Sequence, residues 1–216
     1  METESHTTTQ TASPAFCTPT LPAPLALSAI ILAGGQSSRM GEDKALVPIQ
    51  GVPLLRLVYE TANALCDPVC VVTPWPERYQ GLLPASCQFV QESVPTQGPL
   101  VGFAQGLVHT ETDWVLLLAC DLPKLRVEVL QDWVDGLGSV KNEALALLTH
   151  HAKGWDPLCG FYRRSCLPTL THFINQGGRS FQQWLTQHPV QALTSPEPQM
   201  LFNCNTPADL ASLNNC

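Results

Sequence analysis

The chain has 216 residues, 44% of them hydrophobic and 13% charged, with 18 acidic against 11 basic side chains and a formal charge of -7. That length suits one domain with a sizeable core, and the composition is globular rather than disordered. The acidic balance, with no lysine or arginine run, argues against nucleic acid as a partner, so a bound polyanion needs local attraction from a few cations, backbone N–H groups or a metal.

Residues 1–27 are rich in Thr, Pro and Ala, carry Glu2 and Glu4, and lack the basic stretch that opens a signal peptide. They read as a disordered extension ahead of a domain spanning 28–216. The apolar run from Leu25 to Ala33 stops at Gly34-Gly35 and is too short to span a bilayer, so no membrane association is expected. The nine cysteines, Cys17, Cys66, Cys70, Cys87, Cys120, Cys159, Cys166, Cys204 and Cys216, are odd in number, scattered and without a C-x-x-C. They read as small core residues in a reducing cytoplasm.

"SAIILA", from Ser28, reads as a buried strand. Pro53 suits a first helical turn, and Leu54, Leu55, Val58, Ala62 and Leu65 follow at helical spacing. "VCVVT" (69–73) and "CQFVQE" (87–92) read as strands, and Leu100, Phe103, Ala104, Leu107 and Val108 mark an amphipathic helix after Gly98-Pro99. "WVLLLA" (114–119) is apolar throughout, as a central parallel strand covered on both faces should be, and Pro123 ends it.

Val127, Leu130, Val134 and Leu137 form the next helical face. "ALALLT" from Ala144 and "PLCGFY" from Pro157 read as strands, with helices expected over 165–175 and 180–186. Thr206-Pro207-Ala208-Asp209 supplies an N-cap, a first-turn proline and an acidic residue for a last helix. The alternation predicts an α/β domain with a mainly parallel sheet and helices on both faces. Ligands in such sheets bind at the carboxyl ends of the strands, which selects the segments after "SAIILA", "VCVVT", "QFVQE" and "WVLLLA".

Two of those segments carry chemistry-bearing residues. Gly34-Gly35 follows the first strand directly, so backbone N–H groups there can approach an anion, and Ser37 and Ser38 extend the cradle; a plain tight turn is the alternative. Arg39 and Lys44, the only lysine or arginine residues among the first 55, stand ready to neutralise a triphosphate or to balance Glu42 and Asp43 on a solvated surface. The spacing matches neither G-x-x-x-x-G-K-[ST] nor G-x-G-x-x-G. Asp121 follows the most apolar strand, where a carboxylate suits Mg²⁺ bridged to substrate phosphates, or simply a turn. The six histidines show no metal-ligand spacing, and they and the five tryptophans read as surface and packing residues.

"LAGGQSSRMGEDKAL" resembles the L-A-G-G-x-S-x-R-M-G-x-D-K signature of the molybdenum cofactor guanylyltransferases. "ESVPTQGPLVGF" resembles their segment ending in G-P-L-x-G, "LLLACDLP" their C-D-x-P, and "FNCNTPADL" their N-x-N-T-P-E-D-L. The resemblance runs from Ser28 to the end of the chain. Thr73 stands where the family often has asparagine, Glu92 where aspartate is commoner, and Asp156-Pro157 where His-Pro or Gln-Pro is frequent.

The resemblance implies a three-layer, Rossmann-like nucleotidyltransferase fold and a Mg²⁺-dependent, GTP-binding enzyme. Such an enzyme transfers GMP from GTP to molybdopterin or molybdenum-molybdopterin, forming the guanine dinucleotide cofactor and pyrophosphate. Leu32, Ala33, Gly34, Gly35, Lys44, Glu92 and Asp121 would contact the nucleotide, and Gly98, Pro99, Asn203 and Asn205 the acceptor. Arg39, Lys44 and Asp121 would be catalytic, with Asp121 the metal ligand. It also implies a cytoplasmic enzyme in transient contact with proteins that supply and accept the cofactor. A cytidylyl- or sugar-phosphate nucleotidyltransferase, and a non-catalytic GTP- or pterin-binding module, are the alternative readings.

Overall fold

The computed structural model describes residues 25–34, 43–93, 97–194 and 198–214. In chain order these form β1 (Leu27–Leu32), the hairpin β2 (Pro48–Ile49) and β3 (Val52–Pro53), α1 (Leu54–Asn63), β4 (Val69–Thr73) and β5 (Gln88–Gln91). There follow α2 (Pro99–Val108), β6 (Trp114–Ala119), α3 (Val127–Gly136), β7 (Ala146–His151) and β8 (Gly154–Arg163). The last elements are α4 (Leu167–Asn175), α5 (Phe181–Leu185), β9 (Val190–Ala192) and α6 (Pro207–Asn214).

The main sheet has seven strands in the order β5-β4-β1-β6-β8-β7-β9. Of its six pairings, the two made by β8, with β6 and with β7, are antiparallel, and the other four are parallel. β1 and β6 are buried along their whole length, which is why β6 is apolar at every position and β1 at every position but Ser28.

Successive side chains of those strands serve opposite layers. Ala29, Ile31, Leu116 and Leu118 pack with Leu55, Val58 and Tyr59 of α1 and Leu130 and Trp133 of α3. Ile30, Leu32, Val115 and Leu117 pack with Leu100, Phe103 and Leu107 of α2, Leu170 of α4 and Trp184 of α5. The result is a three-layer α/β domain, and truncating a fully buried side chain such as Leu117 costs about 2–5 kcal/mol.

α2 lies unusually close to the sheet because Gly106 presents no side chain there. A Cβ on it would fall 2.9 Å from Val72 Cγ2 and 3.0 Å from Ile30 Cδ1. This close seating brings the start of α2 against the strand ends that carry Leu32 and Glu92. Pro53 departs from its expected first-turn place: it pairs with Pro48 in the small hairpin and caps α1 with an extended backbone. The seven described cysteines are free, and all except Cys120 are buried. No helix among the described residues is long and apolar enough to cross a membrane.

Candidate active site

The carboxyl ends of β1, β4, β5 and β6 open onto one cavity of about 600 Å³. Leu32, Ala33, Gly34, Lys44, Glu92, Gly98, Pro99, Asp121, Asn203 and Asn205 all line it. The structure therefore brings together every described residue expected at the site from the sequence. Gly35 and Arg39 lie outside the described residues.

Two strand-end segments meet at Gly34. Glu92 donates its backbone N–H to Thr73 O at 2.9 Å, extending the β4–β5 ladder one residue and fixing where its side chain departs. That carboxyl lies against the glycine backbone: a Cβ on Gly34 would come within 2.6 Å of Glu92 Oε1. Burial raises the Glu92 pKa. Gly98, at φ 91°, turns the chain into α2 in a conformation that favours glycine, and no side chain caps the helix. Because Gly98 and Pro99 line the cavity, the electropositive end of α2 meets it and favours an anion there.

Lys44 opens a single 3₁₀ turn whose first amide is held by Asp43, Oδ1 of which accepts from Ala45 N at 3.1 Å. The other Asp43 oxygen accepts the Tyr79 hydroxyl at 2.8 Å and lies 3.6 Å from Arg78 Nη1, and the Arg78 guanidinium stacks 4.2 Å over Trp75. The Lys44 ammonium donates to Asn205 Oδ1 at 2.6 Å and stands 3.8 Å from Asp121 Oδ2. Asp121 is held in turn by the C-terminal segment, because Cys204 N donates to its carbonyl at 2.9 Å. Burial raises the Asp121 pKa, and the Lys44 charge works against that rise.

Asp43, Trp75, Tyr79, Cys120 and Leu158 also line the cavity and were not singled out from the sequence. Trp75 and Tyr79 follow β4, so the strand-end rule already contained them; Trp75 thus departs from the expected packing role. Thr73 is fully buried and does not line the cavity, its Oγ1 accepting Trp75 N at 3.2 Å. Asp156 accepts Thr149 Oγ1 at 2.9 Å and lies 3.0 Å from His151 Nε2, so its carboxylate is engaged within the β7–β8 hairpin.

The MobA-like NTP transferase domain model matches residues 29–192. The chain belongs to this family. A probable molybdenum cofactor guanylyltransferase from a Nostoc species is 66% identical, over 86% of this chain and 89% of the relative. One from Synechococcus elongatus is 44% identical, over 86% and 97% respectively. The solved molybdopterin-guanine dinucleotide biosynthesis protein A of Archaeoglobus fulgidus superposes with a TM-score of 0.73 at 23% identity, over 87% of this chain and 97% of that one. A protein from Aquifex aeolicus superposes at 0.69 with 25% identity, over 83% and 93%.

The one thiol among the described residues that line the cavity of this MobA-like nucleotidyltransferase is that of Cys120. Burial pushes the Cys120 thiol up to about 12, so it stays protonated at neutral pH, and among the described residues no histidine lines the cavity.

A divalent cation fits the donor set. Among the described residues the cavity is lined by three carboxylates, Asp43, Glu92 and Asp121, and one ammonium, Lys44. A triphosphate would meet net negative charge there unless a cation came with it. Among those residues no group of three or more His, Cys, Asp or Glu forms a closed metal cage. A single strand-end carboxylate suits a hard divalent cation that takes its other ligands from water and substrate phosphate oxygens.

Proposed function

We infer that this chain transfers GMP from GTP to molybdopterin carrying molybdenum, releasing pyrophosphate. What supports the reading is one observation: residues from four separate segments, Gly34, Lys44, Asp121 and Asn205, line a single cavity. The names of the relatives at 66% and 44% identity supply the guanine and the acceptor.

In the reaction, a terminal phosphate oxygen of the acceptor forms a bond to the α-phosphorus of GTP. The bond from that phosphorus to the α–β bridging oxygen breaks, and pyrophosphate leaves with the electron pair. The attacking phosphate is ionised at neutral pH, so no strong base is needed, and catalysis is positioning plus charge stabilisation. Asp121 would hold Mg²⁺, which when bound supplies Lewis-acid stabilisation of charge on phosphate oxygens.

The remaining roles fall to the chain. Leu32, Ala33 and Gly34 present the β1 end to the nucleoside, and Gly34 leaves room for the Glu92 carboxyl as an acceptor for base or ribose donors. Lys44 offsets charge on the phosphates, joined by Arg39 from the same signature, while Gly35 continues the cradle. Gly98 and Pro99 set the positive end of α2 at the cavity, and Asn203 and Asn205 face the acceptor from the C-terminal segment. The domain begins with β1 at Leu27, one residue ahead of the expected Ser28, and works in the cytoplasm.

The test is label transfer from GTP, CTP, ATP and UTP to molybdopterin, with pyrophosphate release followed in parallel. GTP is expected to be the preferred donor. Preferential labelling from CTP would overturn the base assignment, and nucleotide binding without pyrophosphate release would overturn the transferase reading.

A further inference from the structure

We propose that Asp209 is a positioning residue for the transfer, acting through Asn205 on the Lys44 ammonium. The inference rests on the reading that Lys44 meets the nucleotide phosphates. It adds a residue that touches neither substrate and assigns the Asn205 side chain to the nucleotide half of the reaction.

The chain of contacts begins at α6. Asp209 Oδ2 accepts two backbone N–H groups, those of Asn205 at 2.9 Å and Thr206 at 2.8 Å. Thr206 Oγ1 accepts Asp209 N at 3.2 Å in return, the reciprocal pattern of a capping box. The backbone on the other side of Asn205 is tied as well, since Cys204 N donates to Asp121 O at 2.9 Å. Asn205 is therefore held between the first turn of α6 and the loop that carries the candidate metal ligand.

The anchor itself is packed. Leu213 of α6 lies in a small core with Ile49 of the β2–β3 hairpin, Leu54 of α1 and Cys204. That hairpin follows directly on the turn that begins with Lys44, so α6 braces both ends of the Lys44–Asn205 contact.

The chemistry of the contact fixes its sense. An ammonium only donates, so Asn205 must present its carbonyl oxygen to Lys44 Nζ, at 2.6 Å. The amide nitrogen of Asn205 keeps its own donors for another ligand. Lysine is a compact charge on a flexible stem, and its head is placed by acceptors rather than by its stem. Among the described residues, Asn205 Oδ1 at 2.6 Å and Asp121 Oδ2 at 3.8 Å do this here. Loosening Asn205 would spread the ammonium over more positions without removing its charge.

The experiment measures equilibrium binding of GTP, CTP, ATP and UTP with Mg²⁺ and no pterin. It uses the full chain and its Asp209→Ala, Asp209→Glu, Lys44→Met and Lys44→Met/Asp209→Ala variants, with thermal midpoints alongside. Asp209→Ala is expected to weaken binding of the preferred nucleotide about fivefold, the scale of one lost cap. Asp209→Glu should restore it, because glutamate completes the same box. In the Lys44→Met background Asp209→Ala should change nucleotide affinity less than about twofold while still lowering the thermal midpoint.

An equal loss of affinity in both backgrounds, or a lowered midpoint with unchanged affinity in the single variant, would overturn the proposal. Preference for a nucleotide other than GTP would instead fell the guanine assignment, with the comparison of backgrounds then read on the preferred nucleotide. Absence of nucleotide binding in the unaltered chain would overturn both.

Discussion

Replacing Lys44 by methionine removes the ammonium and keeps much of the stem. A charge pair about 4 Å apart is worth about 4 kcal/mol at an effective dielectric of 20. The phosphates would not gain all of that, because Lys44 already donates to Asn205 at 2.6 Å and faces Asp121 at 3.8 Å. A charge-assisted hydrogen bond contributes about 1.5–3 kcal/mol net, so a loss of about 2–3 kcal/mol is expected, or about 30- to 150-fold in kcat/KM. Stability should fall by about 1–3 kcal/mol, the scale of the lost hydrogen bond to Asn205, with little added by the Lys44–Asp121 pair because its separation is long and its attraction is offset by desolvation. The assay is pyrophosphate release at varied GTP, with denaturant unfolding as the control. A loss smaller than about threefold, or one matched by unfolding of the variant, would refute the reasoning.

Gly34→Ala places a Cβ 2.6 Å from Glu92 Oε1 and 3.3 Å from Pro74 Cδ; because the glutamate end can swing aside, GTP affinity should fall in titrations while the melting temperature stays near that of the parent. Gly160→Ala has no such escape, with a Cβ 2.7 Å from the Leu147 carbonyl and 2.5 Å from Leu148 Cδ2, so unfolding should show about 1–3 kcal/mol of destabilisation. The backbone N–H groups of Asn205 and Thr206 hold the Asp209 carboxyl below its ordinary pKa. Its contribution is present above the ordinary aspartate value and is lost as pH falls through that value toward the depressed one, so the stability gap to Asp209→Asn should narrow on acidification; a gap that widens would contradict the assignment. Chelating divalent cations should stop pyrophosphate release, and added Mg²⁺ should restore it.

The alternation of strands and helices was legible because both faces of the sheet are covered. "WVLLLA" is apolar at every position and "VCVVT" at every position but its last, Thr73, for that reason, and their boundaries coincide with β6 and β4. The β7–β8 pairing was not legible. The apolar runs stop at Thr149 and resume at Pro157, but His150 pairs with Trp155 and His151 with Gly154 in the solvent-facing end of the hairpin, where pattern carries no signal. Nor does a strand's apolar run encode its direction, so the reversal of β8 emerged only with its partners in place. The hairpin of β2 and β3 and the short β9 have two or three residues per strand, too few for any periodicity.

At the site, the sequence by itself determined the chemical types and their strand-end addresses: Gly34 after β1, Glu92 after β5 and Asp121 after β6. Gly34 and Asp121 lie where a buried apolar run must give way to residues that water or a ligand can reach, and Glu92 follows the half-exposed edge strand β5. Which of them touch was decided only in three dimensions. Lys44 and Asn205 stand 161 residues apart and meet because the C-terminal segment folds back on the Asp121 loop. A hydrogen bond is a relation between two places, and local sequence specifies only one of them at a time.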